Sequence, residues 1–180
     1  MRIFQVRNDV NCYQYFLTKD DKDAPKMVMD GTSKQDSWVP PPVYIYQPKL
    51  RAGDFYQFAA GTLITSPRAT DTLRGYLEQA GELLPLPYKG QVFTMLNTLH
   101  LVDCLDTTQS IKRPGYYAKY VFKPDILSHA QSTLFKIPQE PRGDLLLVEG
   151  LESTNHGFRT AVETAGLKGL VFKELWTDES

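Results

Sequence analysis

The sequence predicts an α+β protein with a mixed, strand-rich sheet and a few helices. Segments with strand character outnumber segments with helical periodicity. In addition, the order strand, helix, glycine, strand occurs twice, within residues 61–87 and residues 144–176. A chain of 180 residues is long enough to bury roughly 70% of its unfolded surface without disulfides. We therefore expect a single domain over residues 1–180.

The N-terminal part is predicted to combine short strands with exposed chain. Residues 2–7 and 12–17 have the pattern of strands, and a further strand is expected at residues 43–46. Residues 18–42 hold clustered charge and three consecutive prolines, which is typical of a loop with polyproline character. Trp38 lies in this loop, and we expect its ring to pin the loop to the body of the protein.

The first strand-helix-strand unit has clear boundary signals. Residues 63–65 form an apolar strand, and Ser66 is a favourable N-cap for the helix that follows. Pro67 suits the first helical position, and Gly81 ends the helix. Extended chain resumes at residues 83–86. The apolar residues of the helix fall on one face, namely Ala69, Leu73, Tyr76, Leu77 and Ala80.

The second unit repeats this order near the carboxyl end. Residues 145–148 form a strand, Gly166 ends a helix, and residues 170–172 open a final strand. The helix face comprises Phe158, Ala161, Val162 and Ala165. Both helices end in Ala-Gly, which is compatible with an internal duplication. Because strand-helix-glycine-strand is also a common generic unit, the sequence alone favours the generic interpretation.

The chain between the two units is predicted to be mostly loop and short strands. Residues 107–115 are polar and contain the turn residues Pro114 and Gly115, so a loop is expected there. Residues 119–123 and 133–138 have strand character, and a short helical segment is expected to begin at Pro124 and continue through Leu127.

Composition and charge exclude several classes of function. Twenty basic and 21 acidic residues give a net charge of -1, which leaves no basic excess for nucleic-acid binding. No apolar run approaches the roughly 20 residues needed to span a bilayer, and the N-terminus lacks the pattern of a secretion signal. We therefore expect a cytoplasmic protein without membrane contact. Cys12 and Cys104 match no metal spacing and are expected to be buried free thiols.

The segment MLNTLHLVDCLD, residues 95–106, concentrates residue types that carry chemistry. On a helix, Asn97, His100 and Asp103 share a face, and His100 and Cys104 have the i, i+4 spacing of a nucleophile pair. On a strand, His100 and Cys104 point away from Asn97 and Asp103. A small hydrolase that uses His100, Asp103 and Cys104 is thus an alternative that requires the helix. The structural interpretation is that Asp103 and Asp106 bond backbone N–H groups at the end of an element.

Other motifs of catalysis or ligand binding are missing from the sequence. His129 and His156 lack paired ligand spacing, so no metal is expected, and no phosphate-binding loop or hydrolase elbow occurs. An acidic cluster at Asp20, Asp21 and Asp23 is interrupted by a lysine and is typical of a solvated loop. Three tyrosine pairs are candidate interface anchors, although strand packing explains them equally well: Tyr13 with Tyr15, Tyr44 with Tyr46, and Tyr116 with Tyr117.

Several segments in this order resemble the bacterial polymorphic-toxin immunity proteins of family eleven, formerly a domain of unknown function. The segments are GDF at 53–55, LITSPRATDTL, ELLPL, LNTLHLVDCLD, LFKIP and AGLKGLVFKELW. The family-like part covers residues 43–176, whereas residues 1–42 match weakly. Within the family-like part, we expect a structural motif of Asn97, Asp103, Asp106, Gly169 and Trp176.

The resemblance implies neutralisation of a cognate protein toxin by binding, without catalysis and without a cofactor. Such proteins are encoded beside toxins of type VI secretion or other contact-delivered systems. The toxin contacts are expected at Asp20, Asp21, Asp23 and Trp38, because a local acidic cluster suits a basic target and tryptophan is a frequent interface anchor.

Overall fold

A computed structural model of the chain describes residues 1–151 and 157–178. It contains about 20% helix and 37% strand, which confirms the α+β class. The strands are β1 (Arg2–Asn8), β2 (Tyr15–Thr18), β3 (Val43–Tyr46), β4 (Phe55–Tyr56), β5 (Leu63–Thr65), β6 (Gly81–Tyr88), β7 (Gln91–Thr98), β8 (Ile111–Arg113), β9 (Tyr116–Lys119), β10 (Leu134–Phe135), β11 (Leu145–Glu149) and β12 (Leu170–Thr177). The α-helices are α1 (Pro67–Ala80), α2 (Pro124–Leu127) and α3 (Phe158–Thr164), and 3₁₀ helices form at Asp21–Met27 and Gln35–Ser37.

Two four-stranded antiparallel sheets form most of the framework. One has the order β4-β5-β7-β6, and the other has the order β10-β11-β1-β12. In the first sheet, the edge strand β4 is followed along the chain by β5, α1 and β6, and the antiparallel strand β7 lies between the parallel strands β5 and β6. In the second sheet, the edge strand β10 is followed by β11, α3 and β12, and the antiparallel strand β1 lies between β11 and β12. The repeat indicated by the sequence is therefore a repeat of topology. The second copy is completed by the N-terminal strand β1, which the local sequence pattern does not reveal.

Each large sheet has an apolar cluster on both faces, because successive side chains of a strand point to opposite sides. Leu63 and Phe4 belong to one apolar cluster that joins the two sheets with α1 and α3. Ile3 belongs to a second cluster beneath β9 and α2. Ile64 belongs to a third cluster, which packs against β2, β3 and the first 3₁₀ helix. The second and third clusters explain why short connecting segments are held firmly on the sheets.

The first predicted helix forms with the expected ends. Ser66 Oγ accepts a hydrogen bond from the Ala69 N–H at 3.2 Å, and Pro67 is the first residue of α1. Gly81 caps the carboxyl end, where its N–H donates to the Leu77 carbonyl. All these contacts lie within one element, so the local sequence was sufficient to predict them.

Three local predictions are wrong. Residues 18–42 contain the two 3₁₀ helices in place of a continuous loop. The loop expected at residues 107–115 contains the strand β8, and the strand expected at residues 119–123 lies earlier, as β9, which ends at Lys119 and pairs with β8. The hairpin was missed because both strands are mostly exposed and lack apolar alternation. Cys12 is exposed and only Cys104 is a buried thiol.

Candidate functional site

The segment 95–106 begins in β7 and then leaves the sheet as irregular extended chain. No helix forms in it. The His100 carbonyl accepts from the Lys136 N–H at 3.0 Å, and the Asp106 N–H donates to the Val121 carbonyl at 2.9 Å. Because distant parts of the chain satisfy its backbone groups, the segment needs no helix. The helical arrangement on which the hydrolase alternative depends is therefore not formed.

Cys104 lies in surroundings that oppose a nucleophilic role. Burial raises the pKa of the Cys104 thiol to about 12, so the thiolate is scarce near neutral pH. Burial also lowers the pKa of the half-buried His100. The exposed Asp103 carboxylate accepts from Gln139 Nε2 at 2.6 Å. Among the described residues, no hydrogen bond joins His100, Asp103 and Cys104 to one another.

Asn97 ties the loop before β3 to the first large sheet. Its fully buried amide donates to the Thr32 carbonyl at 2.9 Å and to Glu82 Oε2 at 2.8 Å. Glu82 also accepts from Ser33 Oγ and from the Lys34 N–H. Burial by itself raises the pKa of Glu82, but these hydrogen bonds hold it below its usual value. Asn97 and Glu82 thus form the centre of a structural polar network.

Asp106 anchors the turn that leads into β8. Its carboxylate accepts from the Thr108 and Gln109 N–H groups at 2.9 and 3.1 Å. The Thr108 hydroxyl, which donates to the same carboxylate at 2.6 Å, and these N–H groups hold the pKa of the Asp106 carboxyl below its usual value. The prediction of a backbone anchor is confirmed for Asp106. It is wrong for Asp103, whose carboxylate bonds the Gln139 side chain.

Gly169 and Trp176 hold the second large sheet to its neighbours. Gly169 has a φ of +112°, and a β-carbon there would lie 3.0 Å from the Phe55 carbonyl oxygen, so the two backbones approach closely. The adjacent Lys168 N–H donates to Asp54 Oδ2 at 2.9 Å. Trp176 packs edge-on against Phe122, with ring centroids 5.8 Å apart. Both residues therefore have structural roles in the described part of the chain.

The acidic cluster near the N-terminus is largely neutralised by its own lysines. The Asp20 carboxylate caps the first 3₁₀ helix and lies 2.8 Å from Lys22 Nζ. Asp23 is buried, and its carboxylate lies 2.7 Å from Lys26 Nζ. Asp21 is exposed in the first turn. These residues form a surface of mixed sign, and their role in toxin binding stays a prediction.

Trp38 pins its loop as predicted. The indole Nε1 donates to the Pro85 carbonyl of the edge strand β6 at 2.8 Å, and the ring packs against the third apolar cluster. Trp38 lines two grooves. Lys26 and Lys34 also line the first groove, and Glu82 also lines the second. The exposed part of Trp38 therefore stays a candidate contact for a partner.

Lys136 is a buried cation that the sequence did not indicate as special. Its side chain is 1% exposed, and Nζ donates to the Met29 and Pro141 carbonyls at 3.0 and 3.2 Å. Among the described residues, no carboxylate lies within 4 Å of it. Burial lowers the pKa of Lys136 to about 8 from 10.5, although Asp144 and Asp30 act in the opposite direction.

Lys136 should make stability rise with pH in the alkaline range. Below pH 8 the folded and unfolded states both carry the charge. Between pH 8 and 10.5 the unfolded state binds the proton more strongly, so the free energy of unfolding should rise by up to about 3 kcal/mol. Urea denaturation at several pH values checks this, with Lys136→Met as the reference. Parallel curves for the two proteins would contradict it.

The hairpin β8–β9 carries an exposed group of cations and apolar side chains. Ile111 and Tyr116 are 48% and 57% exposed, whereas Tyr117 is buried in the second apolar cluster. Lys112 and Arg113 are exposed beside them. The pair Tyr116 and Tyr117, noted in the sequence, therefore has one exposed and one buried ring. The run of basic and aromatic residues was the only signal in the sequence for this exposed group, and the hairpin itself was not predicted.

The described residues contain no group of three or more histidine, cysteine, aspartate or glutamate side chains that converge as metal ligands. His156, one of the two isolated histidines of the sequence, lies outside the described residues. Within residues 1–151 and 157–178, no helix combines the length and apolar character needed to cross a membrane.

Comparison with known proteins adds no relative. No protein-family model matches the chain, and a search of curated proteins finds no similar sequence. The resemblance to the immunity family therefore depends on the ordered segments quoted above.

Proposed function

We propose that this chain is a cytoplasmic immunity protein that binds one cognate bacterial toxin and neutralises it. The toxin belongs to a type VI or other contact-delivered system. The observation that supports the proposal is the role of the family-like residues in the fold. Asn97, Asp106, Gly169 and Trp176 hold connecting segments and sheets together. The residues that resemble the family are thus residues that stabilise the fold. A family of binding proteins with different partners would share such residues and differ in its contact surfaces.

Inhibition by binding fits the chemistry of the described residues. The hydrolase alternative needs a joined set of His100, Asp103 and Cys104, and the structure gives it no specific support. An immunity protein instead needs a tight complex, with about -12 kcal/mol for a nanomolar dissociation constant. Such a complex usually buries on the order of 1,600 Å² and requires no cofactor.

Co-expression with the toxin encoded by the neighbouring gene tests the proposal. Cells that produce both proteins should grow, and the two proteins should migrate together on gel filtration. Cells that produce the toxin with an empty vector should stop growing. If the cells die as fast with the protein as without it, and no complex survives gel filtration, the proposal is wrong.

Removing the candidate catalytic groups should leave protection intact. The double variant His100→Ala, Cys104→Ala should protect cells as well as the unchanged protein, because neither side chain takes part in binding. Its stability should fall by about 1–3 kcal/mol, since the Cys104 site is buried. Growth in the presence of the toxin is the measurement, with the amount of folded variant as its control. Loss of protection with folding and binding preserved would favour the hydrolase.

A further inference from the structure

The hairpin β8–β9 is a preformed projection from the second large sheet. Tyr117 is its buried anchor, and its ring lies 5.5 Å from that of Tyr120. On the other side, Ile111 and Tyr116 are largely exposed. A partner that contacts these two side chains meets a surface that is already ordered, so little conformational entropy is lost on binding.

The charge of this hairpin is unbalanced. Residues 111–119 contain three cations, Lys112, Arg113 and Lys119, and no acidic residue. Within the described part of the chain, none of the three lies within 4 Å of a carboxylate, and Lys112 Nζ lies 5.5 Å from the centroid of the Tyr117 ring. Cations elsewhere on the surface are often paired: Arg74 contacts Asp71 and Glu78, and Arg159 contacts Glu163. The hairpin therefore retains charge that a partner can use.

A groove of about 390 Å³ separates the hairpin from the edge strand β12. Lys173 of β12 lines it and adds a further exposed cation. The groove also contains two carboxylates, but both have partners. Asp144 accepts from Gln5 Nε2, and Glu174 lies 3.9 Å from an Arg2 guanidinium nitrogen. Among the described residues, neither carboxylate lies within 4 Å of a cation of the hairpin.

We propose that the hairpin face, defined as Ile111, Arg113, Tyr116, Lys119 and Lys173, is a surface that binds the toxin, and that the matching toxin surface is acidic. This inference rests on the proposed function. Tyrosine and arginine are enriched among the residues that dominate binding energy, and unpaired cations steer an acidic partner during encounter. The two exposed apolar side chains and the net charge of -1 favour a protein over a nucleic acid as the partner.

Two matched double variants test the hairpin face. The first, Arg113→Glu with Tyr116→Ala, reverses one cation and removes one exposed tyrosine on the face. The control, Lys49→Glu with Val92→Ala, reverses one cation and shortens one exposed apolar side chain elsewhere on the surface. Dissociation constants for the purified toxin domain are measured by calorimetry. The first variant should bind about 100-fold more weakly and lose protection, and the control should change less than about 3-fold.

Salt dependence and thermal melting complete the test. Association of the unchanged protein should slow as salt rises, and the hairpin variant should lose most of this dependence. Both variants should melt within a few degrees of the unchanged protein, because the altered residues are exposed. If the hairpin variant melts early, Lys119→Glu alone replaces it.

The outcomes separate the two proposals. If the unchanged protein does not bind the toxin, the proposed function itself fails. If the unchanged protein and the hairpin variant bind the toxin equally well, only the hairpin face is wrong. The unchanged protein could also bind a nucleic-acid duplex. If the hairpin variant loses its affinity for the duplex but still binds the toxin, the hairpin face binds nucleic acid and the proposed partner is wrong.

Discussion

Gly61→Ala should lower the free energy of unfolding by about 3 kcal/mol or more. Gly61 has a φ of +71°, a conformation that costs an alanine about 1–2 kcal/mol. A β-carbon there would also overlap the Gly143 carbonyl oxygen and would lie 3.1 Å from Lys136 Nζ. Because the overlapping atom belongs to the backbone, two loops must move apart, and such overpacking typically costs a further 1–3 kcal/mol.

Gly75→Ala is the matched control for this substitution. Gly75 is exposed in the middle of α1, and a β-carbon there meets no atom within 4 Å. The same change should therefore stabilise the protein by up to about 1 kcal/mol, through helix propensity. Urea denaturation measures both variants. Similar free energies of unfolding for the two would contradict the described approach of the loops at Gly61.

Asn97→Asp should destabilise the protein by about 3 kcal/mol or more at pH 7. The substitution replaces a buried donor with a carboxylate that faces Glu82 Oε2, to which the amide donated at 2.8 Å. A buried carboxylate at position 97 and the partly buried Glu82 carboxylate repel each other at this distance, and the Thr32 carbonyl also loses its donor. Chemical denaturation of the variant and the unchanged protein measures the loss.

The pH dependence of this loss identifies its cause. The repulsion raises the pKa of the pair in the folded state, so the penalty should be present above that pKa and should shrink as the pH falls through it. Glu82→Gln in the Asn97→Asp background should recover part of the stability at pH 7, because the glutamine amide supplies a donor. Asp103→Asn is the control at an exposed site and should change stability by less than about 0.5 kcal/mol. A loss that does not change with pH would contradict the account of the pair.

The parts of the fold that the sequence predicted are those whose interactions are local. The signals for α1 were a serine cap, a proline at the first position and a final glycine, and the contacts of Ser66 and Gly81 lie within the element. The short helix α2 was predicted from Pro124 for the same reason. Strand β1 was predicted from the strand-like pattern of residues 2–7, and β11 was predicted from the apolar residues 145–148.

The parts that the sequence did not predict depend on distant partners. The place of β1 between β11 and β12 is set by pairing with residues about 140 to 175 positions away, and a local pattern cannot show it. The irregular chain after Thr98 is likewise held by Lys136 and Val121, which gave no signal in the segment itself. Hydrophobic periodicity distinguishes only a helix from a strand, so it could not predict irregular chain in that segment.

The candidate site shows the same division. The prediction that Asp106 anchors a turn succeeded, because aspartate bonds N–H groups two or three residues ahead. The environments of Cys104 and Lys136 were not predictable, since burial depends on how the sheets and loops assemble. The hairpin face was missed because unpaired charge becomes visible only when the positions of all nearby carboxylates are known.

Calorimetric titration of the purified protein into the toxin domain encoded by the neighbouring gene tests the central claim most directly. We predict a complex of one protein to one toxin domain, with a dissociation constant of about 1 nM or lower. Gel filtration of the mixture should show both chains in a single peak. Absence of a complex at micromolar concentrations of both folded proteins would contradict the claim that the chain neutralises the toxin by binding it.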